Sequence, residues 1–287
     1  MLDEVIDWLA PQLGGRFADG TLGAGGHAVA LAERVGPGGR VIATDRDPLA
    51  VVAAAARFAH CPQVHAVVAD YAELPQIVAE LGAGPLDGVV LDLGLSSDQL
   101  ADPRRGFSFN AEGELDLRFD PSQGEPAWRL VERAPERELA DLIYQYGEER
   151  HSRRIARRIV AARAEAPIRT ADRLAAIVRG AVPRTRDSLR IDPATRTFQA
   201  LRIAVNDELG SLRRGLESLP DCLRPGGRLA IISFHSLEDR LVKWAFREDP
   251  RYQPLTKKPL TPTLDESARN PRARSAKLRV AMRTDAR

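Results

Sequence analysis

Four times within the first 92 residues a short apolar run ends at or beside an aspartate and gives way to helical periodicity. The runs are 16–18 before Asp19, 40–44 before Asp45, 64–68 before Asp70 and 88–91 before Asp92. Strands that alternate with helices pair in parallel, and a parallel sheet buries both of its faces. The expected fold is therefore α/β, a doubly wound and mostly parallel sheet with its ligand at the carboxyl ends of the strands. A single aspartate after a strand is commonly a helix cap. Four in register point to a shared site.

The first of these turns, Asp19-Gly20-Thr21-Leu22-Gly23-Ala24-Gly25-Gly26-His27, holds four glycines in seven residues. Without Cβ atoms the backbone admits a ligand closely, and the helix that follows offers free N–H groups. Asp45, at the end of the next strand, stands where it accepts hydrogen bonds from ribose hydroxyls. A nucleotide-like cofactor is the expected guest. Gly23, Gly25 and Ala28 also satisfy the G-x-G-x-x-A fingerprint of a nicotinamide-binding turn, so the loop by itself leaves an NAD-type oxidoreductase open.

A chain of 287 residues, 44% hydrophobic and 29% charged, is long enough for one large domain or two small ones. The acidic start Met1-Leu2-Asp3-Glu4-Val5 and the lack of long apolar runs predict neither a signal peptide nor a membrane span, and hence a cytoplasmic protein. Cys61 and Cys222 form no ligand spacing, so reduced thiols and no metal are expected. The net charge of +2 is unremarkable in size but uneven in place. Arg150, Arg153, Arg154, Arg157, Arg158 and Arg163 fall at helical spacing, and from Arg251 onward ten Lys or Arg face three acids. Either stretch is a phosphate-facing surface or a solvated one.

Helices are predicted over residues 2–13, 27–35, 47–59 and 73–81. Beyond residue 103 no β-rich segment occurs until 228–232. Between them lie helical patterns beginning at Trp128, at 136–146, 151–164 and 171–182, and one long helix over 198–219, with loops at 106–109 and 183–196. That length exceeds a simple crossover. It reads as an inserted helical substrate-recognition domain, 104–196, within a cofactor-binding domain made of 1–103 and 197–287. After the strand at 228–233, residues 234–240 are expected to form a loop facing the cleft. A short helix follows at 243–247, then a proline-rich stretch at 251–268 with no clear element, and a closing strand at 277–283.

Together these blocks resemble the MraW-type ribosomal RNA cytosine-N4 methyltransferases. The resemblance rests on the 19–27 loop, Asp45-Arg46-Asp47-Pro48, Leu91-Asp92-Leu93-Gly94-Leu95-Ser96-Ser97-Asp98-Gln99-Leu100, Arg105-Gly106-Phe107-Ser108-Phe109 and Tyr146-Gly147-Glu148-Glu149-Arg150. Residues 193–202, 233–240 and 270–275 extend it over nearly the whole chain. It implies a Rossmann-like methyltransferase sheet, S-adenosyl-L-methionine as cofactor, and small-subunit (16S) ribosomal RNA, free or as the assembled subunit, as substrate. It further implies cofactor contacts from Gly25, Gly26 and His27, from Asp45 to the ribose, from Tyr71 on the adenine side, and from Asp92 and Gln99 at the methionine end. Tyr71 stands where the family usually carries Phe. The sequence is compatible with a homodimer without specifying one.

The catalytic assignment stays open. Many amino-methylating enzymes carry an Asp/Asn-Pro-Pro-aromatic loop where this chain has Asp92-Leu93-Gly94-Leu95. Asp92 is placed either to bind the cofactor's ammonium or to orient the acceptor amine, and His235 and Ser233 are further candidates. Arg153, Arg154, Arg157 and Arg158 are candidate phosphate contacts. Phe107 and Phe109 are candidates for stacking on a splayed base. A non-catalytic RNA-binding assembly factor is the third reading.

Overall fold

The computed structural model describes residues 1–109, 113–183 and 192–286. It divides into two units, Met1–Leu95 with Leu209–Arg287, and Ser96–Glu208.

The first unit is built on a sheet of β1 (Arg16–Asp19), β2 (Arg40–Asp45), β3 (Val64–Val68), β4 (Leu86–Asp92), β5 (Leu223–Ser233), β6 (Tyr252–Pro254) and β7 (Lys277–Arg283). Their order is β3-β2-β1-β4-β5-β7-β6. The pairings from β3 through β5 are parallel, whereas β7 runs antiparallel to both β5 and β6. Strand alternation sends Ala18, Ile42, Val89, Leu91 and Ile231 into one core and Phe17, Val41, Val90, Ala230 and Ile232 into another. Both faces are thus buried, as parallel pairing requires. The second core takes in α1 (Leu2–Leu9), α2 (Gly26–Val35) and α3 (Pro48–Arg57) through Val5, Leu31 and Val51. The first takes in α4 (Leu74–Glu80) through Leu74 and Val78. Because β1 is flanked by β2 on one side and β4 on the other, the chain reverses its direction of winding there. That opens a crevice at the carboxyl ends of β1 and β4.

The second unit is helical: α5 (Ser97–Ala101), α6 (Ala127–Arg133), α7 (Glu136–Gly147), α8 (Ser152–Glu165), α9 (Ala171–Ala181) and α10 (Ala194–Asn206). It is wider than the segment 104–196 at both ends. Phe198 of α10 meets the Phe109 ring edge-on at 4.8 Å, and Gln199 Nε2 donates to the Tyr146 carbonyl at 2.9 Å, so α10 is part of this bundle. The loop expected at 183–196 includes residues 184–191, which lie outside the described residues.

Three expectations are corrected. The long helix over 198–219 is two, α10 and α11 (Glu208–Ser218), separated at Asp207, whose φ of 48° is left-handed. Asn206 supplies the reason, since its amide donates to Leu117 O at 2.7 Å and accepts from Phe119 N at 2.7 Å, holding the helix end in place. The segment 234–240 is mostly the first turn of α12 (Ser236–Glu248) rather than a loop. Residues 251–268 contain β6 and all but the last residue of α13 (Leu264–Arg269), which is capped by Thr263. No helix among the described residues is long and apolar enough to cross a membrane.

Candidate functional site

The glycine loop joins β1 to α2 and is fixed to both neighbouring strands. Gly20 N–H donates to Val90 O and Leu22 N–H to Thr44 O, each at 2.9 Å. Thr21 Oγ1 accepts from Asp92 N–H at 2.6 Å, which ties the loop to the end of β4. Only glycine fits at position 20, where a Cβ would lie 2.3 Å from Leu91 Cδ2. Gly25 caps α2 at φ 79° and supplies no side-chain acceptor, so the first N–H groups of α2 present their positive end to the crevice. A Cβ on Gly26 would meet no atom within 4 Å.

The four strand-end acids separate into two kinds. Asp70 is a cap: it accepts from Ala72 N–H at 2.9 Å and from the Ser211 hydroxyl. Asp45 braces the loop, taking Gly23 N–H at 2.7 Å on Oδ2 and Asp47 N–H at 2.8 Å on Oδ1. By contrast, Asp19 Oδ2 and Asp92 Oδ1 are buried with no hydrogen-bond partner among the described residues, as is His27 Nε2. Asp19 is fully enclosed, with 0% exposure. Burial pushes its carboxyl up to about 7 against the Thr21 N–H bond that favours the anion, with the charges of Asp92 and Asp45 adding to the rise. Asp92 is also pushed up to about 7, chiefly by the protein around it. Its environment is a recess and not an enclosure, because 36% of its side chain stays open. Burial drives His27 down to about 4, so it is neutral at pH 7; its Nδ1 lies 4.0 Å from Asp92 Oδ2. Three unpaired polar atoms around one glycine-lined turn suit a ligand that carries positive charge and hydrogen-bonding groups.

The remaining expected residues are placed as follows. Tyr71 is 8% exposed. It is packed in the core with Leu74 and Leu91, and a Cβ at Gly215 would come within 2.8 Å of it. Ser233 is buried, its hydroxyl donating to Lys277 O at 3.4 Å. His235 is the N-cap of α12, its Nδ1 accepting from Glu238 N–H at 3.3 Å. Its Nε2 is 3.2 Å from Glu238 Oε1, outside hydrogen-bonding geometry. Gln99, in the helical unit, forms a capping box with Ser96, with 3.1 Å bonds in both directions. In the same unit Phe107 is buried 6.2 Å from Phe119, so stacking on a base is not open to it. Arg153, Arg154, Arg157 and Arg158 are exposed on α8, opposite buried Ile155, Ala156 and Ile159. Arg157 lies 3.7 Å from Glu136, and the other three have no ion-pair partner among the described residues.

Thr21 and Asp19 carry more of the site than the motif reading assigned them. The signal for Asp19 was its place in the register of four acids. None marked Thr21, whose partner lies 71 positions away.

Asp19 has a measurable consequence for stability. Its folded value lies above the ordinary carboxylate value near 4, so between about pH 4 and 7 the folded chain holds a proton that the unfolded chain has lost. Its contribution to stability is complete below pH 4 and falls as pH rises toward 7. Asp19→Asn is expected to remove this slope, at most about 1.4 kcal/mol per pH unit. Melting curves of both proteins from pH 5 to 8 should therefore diverge, the variant gaining relative stability as pH rises.

A sequence profile of the MraW methylase family matches residues 1–284. Ribosomal RNA small subunit methyltransferase H of Pelobacter propionicus is 51% identical over 98% of this chain and 96% of its own. The protein of that name from a Synechococcus species is 54% identical over 99% of this chain and 91% of its own. That from Rhodopirellula baltica is 51% identical, covering 99% and 90%.

Proposed function

The chain belongs to the MraW methylase family, and from that premise we propose that it methylates the exocyclic N4 of a cytidine in the decoding region of small-subunit ribosomal RNA. The methyl donor is S-adenosyl-L-methionine. The family is one of ribosomal RNA methyltransferases, and membership decides between the sulfonium and nicotinamide readings of the glycine loop in favour of the first. The observation that carries the site is the pair of buried, unpaired acid oxygens on Asp19 and Asp92 beside the loop.

When bound, S-adenosyl-L-methionine supplies an electrophilic methyl on sulfur, and its transfer is an in-line displacement that needs positioning more than acid or metal activation. The α2 amides at Gly26 and His27 suit a carboxylate. Asp45, already held by two backbone N–H groups, keeps acceptor capacity for ribose hydroxyls. Asp92 offers an acceptor, and enclosed Asp19 a carboxyl within electrostatic reach of it, and a cation nearby would favour the ionisation of both. Asp92 is also our choice among the three catalytic candidates, because its side chain is 36% open to the crevice, whereas those of Ser233 and His235 are closed over. A carboxylate there can hold an N–H of the acceptor amine and keep its lone pair directed at the methyl.

On the helical unit, Arg153, Arg154 and Arg158 of α8 are proposed to bind RNA phosphates. The Arg153→Glu, Arg158→Glu double variant should weaken binding to a single-stranded rRNA fragment and flatten its salt dependence by roughly 1.4 in log–log slope. Cofactor affinity should not change. Titration at several salt concentrations checks both. We further place the reaction in the cytoplasm, on free small-subunit RNA or the assembled subunit.

Calorimetry with S-adenosyl-L-methionine and NAD tests the cofactor reading. Binding of the first alone is the expected result; binding of NAD alone would overturn it.

A further inference from the structure

α12 leaves the carboxyl end of β5 and buries Glu238, Val242 and Phe246 against the first unit. Its other side carries Arg240, Lys243, Trp244 and Arg247, whose spacing of three, four and seven residues places them on one helix face. Trp244 stands out there. It keeps 46% of its surface exposed, while Lys243 Nζ lies 5.5 Å and Arg247 Cζ 5.7 Å from its ring centroid, within cation–π reach.

Lys243 and Arg247 have no ion-pair partner among the described residues. Asp239 is engaged by Lys277 at 3.2 Å and Arg279 at 2.6 Å, and Glu238 is buried in the cap. Glu248, next in sequence to Arg247, is exposed. An exposed indole flanked by cations matches a strand that presents a flat base and a phosphate together. A folded protein partner would more often meet an apolar patch with a polar rim. With a rise of about 1.5 Å per residue, Trp244 lies roughly 13 Å along the helix from its cap at the strand end. Nucleotides flanking a base held at the crevice reach that far.

We propose that the outer face of α12 binds single-stranded RNA next to the target nucleotide, with Trp244 stacking on a base and Lys243 and Arg247 contacting phosphates. The proposal rests on the ribosomal RNA reading above. It gives the sheet-bearing unit an RNA surface of its own, separate from the arginines of α8.

The test uses the full chain and a fluorescein-labelled single-stranded fragment of the small-subunit decoding region. Trp244→Ala should weaken binding about 5- to 150-fold, the range for losing one stacked base, and raise KM for the RNA to match. Trp244→Phe should restore most of the loss. Lys243→Glu with Arg247→Glu should lower the salt slope by roughly 1.4. Cofactor affinity and melting temperature should stay at the parent's values in each variant. A parent that methylates RNA and a Trp244→Ala chain with unchanged Kd and KM would overturn the α12 surface alone. So would unchanged RNA affinity with an altered oligomeric state, which would assign the face to a second copy. If the parent neither binds nor methylates the RNA, the functional reading falls with it.

Discussion

Replacing Asp92 by Asn is expected to lower kcat/KM for methyl transfer by about a hundred- to a thousandfold, the range for losing one placed charge at a reacting centre. The fold should survive. Asn keeps the shape of the side chain, and Asp92 N–H keeps its 2.6 Å bond to Thr21 Oγ1 because that bond is made by the backbone. Burial already disfavours the charge that is removed, so the melting temperature at pH 8 should hold or rise. The kinetic split then tells what the carboxylate does. A weaker cofactor Kd in step with the loss assigns Asp92 to the cofactor's ammonium; a lower kcat with cofactor Kd unchanged assigns it to the acceptor amine. Turnover at the parent rate would remove Asp92 from the mechanism.

A second large effect is expected from two neighbouring glycines with opposite roles. At Gly26 a side chain enters open space at the start of α2, and leaving glycine in a helix is favourable by up to about 1 kcal/mol. Gly26→Leu should therefore fold as well as the parent. Its isobutyl group would occupy the space beside the first N–H groups of α2, and affinity for S-adenosyl-L-methionine should fall at least a hundredfold, as expected when ligand and side chain compete for one volume. Gly20→Ala should do the reverse. Its Cβ would lie 2.3 Å from Leu91 Cδ2 and 2.8 Å from Tyr71 Cβ, an overpacking that costs roughly 1–3 kcal/mol. Thermal melts and cofactor titrations of the two variants separate these outcomes. Equal loss of stability in both would show that Gly26 serves folding instead.

Much of the loop and strand-end arrangement is legible in the sequence because parallel strands write themselves as apolar runs, and the turn after each lies at the ligand end. Asp47-Pro48 announced α3 by cap chemistry, and Asp47 does accept from Leu49 N–H at 3.0 Å. What the chain hid were contacts between distant residues. Tyr71 reads as an aromatic beside the cleft, and nothing near it in sequence shows that Gly215, 144 positions on, packs against one edge of its ring. His235 reads as a base in a loop, and only the Glu238 side chain returning to the backbone N–H groups of Phe234 and His235 shows a capping box. The break at Asp207 had a faint signal, since Asn and Asp tolerate left-handed backbone, but apolar periodicity runs through it undisturbed. Of the four acids, the two that turned out to be satisfied by neighbouring groups look identical in sequence to the two that are not.

The most direct measurement is transfer of a tritiated methyl group from S-adenosyl-L-methionine to small-subunit RNA or assembled subunits by the full chain, followed by nucleoside analysis. The account predicts label in N4-methylcytidine from the decoding region, and its loss in the Asp92→Asn and Gly26→Leu proteins. Label in a different nucleoside, or none from a chain that binds the cofactor, would contradict it.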